Sequence, residues 1–259
     1  MFCHIIGYPL KNPRSVKIWS NFFKKKKLNI KMSPLEVRPK FFHKSILKLK
    51  KNKNFLGCAI TMPFKEKAKK YISYGNKLSE FSKSINLIVK NKSGKCFGYN
   101  TDIEGALGTI KSVKIKNKII IFGFGGTGKP LFNVLFRKYK NKDFLIISKK
   151  KLLKLKKIKN VKVKKKLKIE ELKTTDLFIN CSPLGSNLKK SFLKKSPLSE
   201  NHIRTANKKI TIFDIIYSPI NTRLSNMCKK NNIKYLNGIT MNTIQAKKAL
   251  TYILKTKNY

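Results

Sequence analysis

The sequence predicts an α/β protein whose parallel sheets are covered on both faces. Two observations carry this. Short apolar runs alternate with stretches of helical periodicity along nearly the whole chain, as strand–helix–strand crossovers require. One of the junctions is also rich in glycine. Ile119, Ile120, Ile121 and Phe122 form a buried-strand run, Gly123-Phe124-Gly125-Gly126-Thr127-Gly128 matches G-x-G-x-x-G, and Leu131, Phe132, Val134, Leu135 and Phe136 follow at helical spacing. Strand, glycine turn and helix in that order form a dinucleotide-binding corner. The first glycine permits the tight turn, the second lets backbone approach a pyrophosphate, and the third lets the helix pack closely on the strand. Phosphates then meet free N–H groups at the positive end of the helix. Gly123, Gly125, Gly126, Thr127 and Gly128 are therefore candidate cofactor residues; an ordinary β–turn–α corner is the bland alternative.

The elements in order support the class. Residues 3–6 read as a first buried strand, broken by Gly7-Tyr8-Pro9. After Pro13 a helical pattern begins, with Val16, Ile18, Trp19, Phe22 and Phe23 apolar. Ser15 lies near its start, where a hydroxyl caps free N–H groups or binds an anion. Residues 24–27 are a solvated helix end, residues 30–37 hold a second strand interrupted by Pro34, and residues 41–49 are helical again. Residues 55–60 form another strand, which Pro63 ends within Thr61-Met62-Pro63-Phe64-Lys65. Residues 85–89 are strand-like with Asn86 inside the apolar run, so Asn86 is a structural hydrogen-bonder or a ligand contact. A hairpin-like turn at 91–94 follows, and then a helix opening at Thr101 with Asp102 near its N-terminus, where capping is the ordinary role.

Beyond the glycine turn, residues 143–148 form a strand, and residues 151–168 hold a short helix and a strand. Strands follow at 176–180, within 208–216 and at 234–236, with helices at 222–231 and 241–254. About 20 residues past the last glycine, an NAD enzyme places Asp or Glu for the ribose 2′-hydroxyl. Here the chain has Ser148, Lys149 and Lys150. A hydroxyl and cations suit a 2′-phosphate, which favours NADP.

Composition bounds the remaining classes. At 259 residues the chain suits one large domain or two modest ones. No apolar run approaches the roughly 20 residues needed to span a membrane. The start, MFCHIIGYPL, does not read as a secretory signal, so a cytoplasmic protein is expected. Five scattered cysteines with no CxxC argue for reduced thiols and against a disulfide frame or a zinc site. The net charge of +50 invites a nucleic-acid reading. Against it, only five of the 61 basic residues are Arg, and the lysines are spread along the chain rather than gathered in one arm. No specific nucleic-acid partner is expected, only weak, salt-dependent attraction to polyanions.

Several stretches, in order and with compatible spacing, together resemble the shikimate dehydrogenase family over nearly the whole chain. Gly7-x-Pro9 with Ser15 is similar to its first substrate loop, and Thr61-Met62-Pro63-Phe64-Lys65 to its T-V-P-F-K block. Asn86 falls at the Asn of its A-V-N-T segment. Gly98-Tyr99-Asn100-Thr101-Asp102-x-x-Gly105 resembles G-x-N-T-D-x-x-G, the most specific single match. Asn180-Cys181-Ser182-Pro183-Leu184-Gly185 is like N-x-T-x-x-G, Asp214 to Pro219 with Thr222 is like D-x-x-Y-x-P-x-x-T, and Gly238-x-x-Met241-x-x-x-Gln245 is like G-x-x-M-L-x-x-Q.

The resemblance implies two α/β domains with an active-site cleft between them. Residues 1–101 plus 238–259 would form a substrate domain with a mostly parallel sheet, and residues 102–237 a Rossmann NADP-binding domain. The implied reaction is the reversible reduction of 3-dehydroshikimate to shikimate by NADPH, in aromatic amino-acid biosynthesis, by a monomer or a homodimer. Lys65 would sit at the reacting oxygen with Asp102 orienting it. Asn86, Thr61 and Gln245 would hold ring hydroxyls, and Ser15 and Tyr217 the carboxylate. Ser182 and Gly238 would join the cofactor residues. A relative acting on quinate or another cyclic hydroxy acid, or a non-catalytic member, is the alternative.

Three positions depart from the family pattern. Pro13 stands where the first loop has a serine, Ala59 where an Asn precedes the T-V-P block, and Ser148-Lys149-Lys150 where the family has N-R-T. The first two remove substrate hydrogen bonds worth about 0.5–1.5 kcal/mol each. The third replaces a guanidinium that stacks on adenine with an ammonium that does so less well.

Overall fold

The computed structural model describes residues 1–10 and 13–255. Two compact units divide inside helices: Met1–Gly105 with the chain from Thr243 onward, and Ala106–Asn242.

The first unit runs β1 (Phe2–Gly7), α1 (Arg14–Lys25), β2 (Lys31–Glu36), α2 (Phe42–Lys51), β3 (Phe55–Ile60), β4 (Tyr74–Gly75), α3 (Lys77–Ser82), β5 (Leu87–Lys90), β6 (Cys96–Tyr99) and α4 (Thr101–Thr109). Its sheet has the order β2-β1-β3-β5-β6-β4. β1 runs parallel to β2 and β3, and β4 parallel to β6. β5 is antiparallel to both neighbours. The exception to parallel pairing has a local cause: the turn at 91–94, with Gly94 at φ 82°, reverses the chain directly into β6. Pro34 is tolerated because β2 is an edge strand, where one side of the ladder needs no N–H. β5 shows how the sheet is covered. Leu87 and Val89 join the cluster of Trp19 and Phe23 from α1, while Ile88 joins that of Phe42 and Ile46 from α2.

The second unit runs β7 (Lys118–Phe122), α5 (Gly128–Lys138), β8 (Asp143–Ile147), α6 (Leu153–Lys156), β9 (Val161–Lys164), β10 (Thr175–Asn180), α7 (Lys190–Leu193), α8 (Glu200–Thr205), β11 (Thr211–Asp214), α9 (Arg223–Lys230) and β12 (Lys234–Leu236). The terminal helix α10 (Gly238–Lys255) then leads back to the first unit's part of the chain. The sheet order is β12-β11-β10-β7-β8-β9 and every pairing is parallel. Counted from β7 as the first strand this is the 3-2-1-4-5-6 order of the Rossmann fold. The direction of winding reverses between β7 and β10, so ligands of such a sheet bind outside the carboxyl ends of these two strands. Both strands are central and apolar on both faces, as parallel strands must be. The amino end of β7 is fixed by Asp176 Oδ2, which accepts from the backbone N–H groups of Lys116, Asn117 and Lys118 at 3.0, 2.5 and 3.1 Å.

Two short helical segments, α7 and α8, and the β4–α3 step escape a reading of the sequence because four to six residues are too few for a periodic signal. α10 begins three residues earlier than expected, at Gly238. Among the described residues no helix is long and apolar enough to cross a membrane, and all five cysteines are free thiols.

Candidate active site

In the first unit the carboxyl ends of β1, β3 and β6 and the amino end of β5 share one edge of the sheet. The segment leaving β3 carries Thr61 to Lys65. Thr61 N–H donates to the Ile6 carbonyl at 2.8 Å, and Phe64 N–H to the Thr61 carbonyl at 3.0 Å. Phe64 is fully buried and stacks on Phe42 with ring centroids 4.1 Å apart. That anchor, and the Lys65 carbonyl accepting from Ile85 N–H at 2.9 Å, holds the Lys65 backbone against the strand that contains Asn86. Lys65 Nζ donates to Asp102 Oδ2 at 2.5 Å, and the two side chains are about one-fifth exposed, at 20% and 22%. The pair is thus shielded from bulk water yet reachable.

Asp102 does not cap α4. The side chain of Asn100 does that, its Oδ1 accepting from Ile103 N–H at 3.2 Å, and its Nδ2 donates to Ser82 Oγ and the Ser84 carbonyl, each at 2.9 Å. The Asp102 carboxylate is left for Lys65. Asn86 is buried, and its partners are in the same turn: Thr101 N–H donates to Asn86 Oδ1 at 2.7 Å, and Asn86 Nδ2 donates to Thr101 Oγ1 at 3.0 Å. The Thr101 hydroxyl lies 3.2 Å from both Asn86 Oδ1 and Gln245 Oε1; with Asn86 Oδ1 already engaged by Thr101 N–H, its one proton is free for Gln245. This relay orients the Gln245 amide with its oxygen inward. A second tie holds α10 to α4: Tyr252 OH donates to Glu104 Oε1 at 2.7 Å while its ring stacks on Tyr99 at 3.8 Å.

So the structure brings Lys65 to Asp102 and Asn86 to Gln245, with the consecutive residues Thr101 and Asp102 joining the two pairs. Sequence reasoning misses Thr101 as a working residue, although the N-T-D triplet holds it. Ser15 lies in the first turn of α1, where Pro13 takes the cap position with no side-chain cap bond. Ala59 is in β3 beside Ile5 and Leu87, partly buried against apolar neighbours.

In the second unit the candidate residues lie at the carboxyl edge of the sheet. Gly123 has φ +95°, and a Cβ there would be 2.9 Å from Ser182 N; a Cβ on Gly128 would be 2.0 Å from the Gly123 carbonyl oxygen. These two glycines are required by turn and packing. Gly125 and Gly126 have no atom within 4 Å of where a Cβ would be, so they form an open backbone ledge just before α5. Such a ledge at a helix N-terminus fits a pyrophosphate. Ser148 is buried at the end of β8, and its Oγ accepts from Lys150 N–H at 3.1 Å. Beside it lies a hollow of about 300 Å³ lined by Ser148, Lys150, Lys151, Leu153, Val163 and Lys165, among others. Lys149 is exposed next to it. Ser182 is spent on its own loop, its hydroxyl donating to Asn180 Oδ1 at 2.7 Å. Tyr217 is 45% exposed in the segment after β11. A Cβ on Gly238 would be 2.1 Å from the Ile215 carbonyl oxygen, so glycine is demanded there by the close approach of that segment.

Residues 5–88 match the model of the shikimate dehydrogenase substrate binding domain. A protein of Clostridium beijerinckii named shikimate dehydrogenase (NADP(+)) is 30% identical over 254 residues, covering 96% of this chain and 90% of that protein. A protein of the same name from Caldanaerobacter subterraneus is 27% identical over 254 residues, covering 93% and 87%. In fold, the chain is similar to the solved structure of shikimate 5-dehydrogenase from Thermus thermophilus in complex with NADP(H) and shikimate, with a TM-score of 0.81 at 19% identity over 98% of this chain and 93% of that one. Motifs in order, the likeness in fold and the 30% identity across almost the full length of a relative agree: the chain belongs to the shikimate dehydrogenase family.

Proposed function

We propose that this protein is an NADP-dependent shikimate dehydrogenase, interconverting 3-dehydroshikimate and shikimate in the route to chorismate and the aromatic amino acids. The observation that carries the reading is the Lys65–Asp102 pair set one residue from the Asn86–Thr101–Gln245 relay. Reducing a ketone needs a hydride on carbon and a proton on oxygen. NADPH, when bound, supplies the hydride. Lys65 supplies the proton, or stabilises the charge developing on that oxygen, and Asp102 holds the ammonium in place and accepts from the hydroxyl formed. Proton transfer by such a positioned group contributes about 10²–10⁴-fold. Because its oxygen is engaged by Thr101, Gln245 presents its NH₂ group as a donor to a ring hydroxyl; Thr61 and Asn86 hold the others. Ser15 and Tyr217 take the substrate carboxylate. Gly125 and Gly126, on a ledge shaped by Gly123, Thr127 and Gly128, would hold the cofactor phosphates. Ser148, Lys149 and Lys150 receive the 2′-phosphate beside the lysine-lined hollow, and Ser182 and Gly238 complete the cofactor wall. The protein works in the cytoplasm as a monomer or homodimer, the substrate domain being residues 1–101 plus 238–259 and the cofactor domain residues 102–237.

The test is a panel of shikimate or quinate with NADP or NAD, followed at the reduced-nicotinamide absorbance band. Shikimate with NADP is expected to give the highest kcat/KM. Faster turnover of quinate with NAD overturns the substrate and cofactor assignment, and Pro13 and Ala59 are where such a departure would originate.

A further inference from the structure

The most deeply buried carboxylate in the second unit has no part in the mechanism above. Asp214, at the carboxyl end of β11, is 0% exposed. Four groups point at it and all are donors. Asn180 Nδ2 reaches Oδ1 at 2.9 Å and Ile216 N–H reaches it at 3.1 Å. Tyr235 OH reaches Oδ2 at 3.1 Å and Thr222 Oγ1 at 3.4 Å. Each donor comes from, or controls, a different segment at the cofactor edge of the sheet. Asn180 also donates to the Leu184 carbonyl at 3.2 Å and accepts from Ser182 N–H at 3.0 Å, so it shapes the loop after β10. That loop packs on the glycine turn: Cys181 N–H donates to the Phe122 carbonyl at 2.8 Å, and Ser182 N is the atom a Cβ on Gly123 would meet. Ile216, through its carbonyl, accepts from Gly238 N–H at 3.1 Å and stands beside Tyr217. Thr222 caps α9, accepting from Ser225 N–H at 3.1 Å.

We infer that Asp214 is a positioning residue for the dinucleotide site, its ionised carboxylate holding the loops after β10 and β11 in the shape that binds the cofactor. The inference rests on the cofactor reading proposed above. As its hydroxyls are turned, the shell gives four hydrogen bonds to the carboxylate, while burial opposes its charge. Neither Ile216 N–H nor the Asn180 amide nitrogen can accept a hydrogen bond from it; only the hydroxyls of Tyr235 and Thr222 can turn to do so. Protonation therefore forces one of these hydroxyls to turn, or breaks the link to Asn180. The titratable groups against Asp214 are Tyr235 from β12, Cys181 after β10 and Cys228 of α9, whose phenol and thiols burial pushes up, so all stay neutral. Among the described residues no cation is hydrogen-bonded to it. Burial pushes Asp214 itself up to about 6, against the pull of its four donors.

The test is NADP⁺ binding by calorimetry from pH 5 to 8, on the wild type and on Tyr235→Phe, an isosteric change that removes one donor. The cofactor's own phosphate titrates near 6, but it does so identically with both proteins, so the difference between them is what is read. Loss of a donor to the charged form raises the carboxyl pKa. The low-pH loss of affinity in Tyr235→Phe is expected to begin about one pH unit higher than in the wild type, while kcat at saturating cofactor and pH 8 stays within about twofold. Coincident pH profiles overturn the role of Asp214 and leave the cofactor site standing. A wild type that binds no NADP⁺ at any pH overturns the cofactor site, and this role with it.

Discussion

Asp102, in the first turn of α4 just past β6, and Asp214, at the carboxyl end of β11, are both carboxylates, and their surroundings are opposite. Asp102 is 22% exposed and shares its charge with one ammonium. Asp214 is fully buried and is held by neutral donors alone. A partly exposed ion pair contributes little to stability, but its proton and its charge remain accessible to a ligand. A buried carboxylate in a closed shell cannot reach a ligand, but the hydrogen bonds it accepts tie together the segments that point donors at it. The same side chain is thus suited to chemistry in one unit and to architecture in the other.

The comparison is broken most directly by substituting each carboxylate with its neutral isostere. Asp102→Asn keeps the shape and removes the charge beside Lys65; kcat is expected to fall about 10²–10⁴-fold, with the melting temperature nearly unchanged. An Asp102→Asn protein that melts much earlier but turns over normally would reverse the roles assigned to the two residues. The anchor under Lys65 is next. Phe64→Ala empties a buried ring site and is expected to cost about 3–5 kcal/mol by urea unfolding, together with activity, because Lys65 loses its seat. A stable Phe64→Ala protein would show that the Lys65 segment is held by its backbone bonds alone.

Two carboxylates of the second unit, Asp214 and Glu171, differ in how pH acts through them on stability. Asp214 is raised from 3.8 to about 6 in the folded state. Between those values the folded protein holds the proton and the unfolded chain does not, so stability falls as pH rises from about 4 to about 6, by at most about 3 kcal/mol. Glu171 has the opposite sign. Burial pushes it up, but the hydrogen bonds and charges of Lys164 and Lys118 outweigh that and hold it below the usual carboxylate range. Its contribution is present above the ordinary glutamate value and is lost as pH falls through the lower one. Urea midpoints from pH 4 to 7 for the wild type and Asp214→Asn isolate the first effect: the wild type's advantage over the variant is expected to shrink as pH rises, and an advantage that grows contradicts it. The smallest effect sharpens the cofactor edge. Gly125→Ala meets open space and is expected to leave stability unchanged while weakening NADP⁺ about tenfold, whereas Gly128→Ala forces a Cβ to within 2.0 Å of a carbonyl oxygen and destabilises the fold. Equal NADP⁺ affinity in wild type and Gly125→Ala would remove the phosphates from that ledge.

Much of this is legible in the residues. The glycine turn with Ile119 to Phe122 before it announces the central strand and its helix, and the Lys65 and Asp102 blocks announce the pair seen at 2.5 Å. The rest is hidden for physical reasons. The partners of Asp214 come from β10, β12 and the loop between β11 and α9, so the shell exists only once strand register sets Asn180 opposite Asp214. The relay through Thr101 needs α10 to return to a turn 144 residues earlier in the chain. A polar residue declares its type in sequence, and only tertiary pairing tells whether its hydrogen bonds are turned inward or left for a ligand.

The proposed chemistry rests on Lys65. The most direct measurement is the rate of shikimate-dependent NADP⁺ reduction by wild type and Lys65→Ala side by side, with shikimate binding measured on both. The expected result is turnover in the wild type and a loss of about 10²-fold or more in the variant, with shikimate still bound. Unchanged turnover in Lys65→Ala would contradict the account.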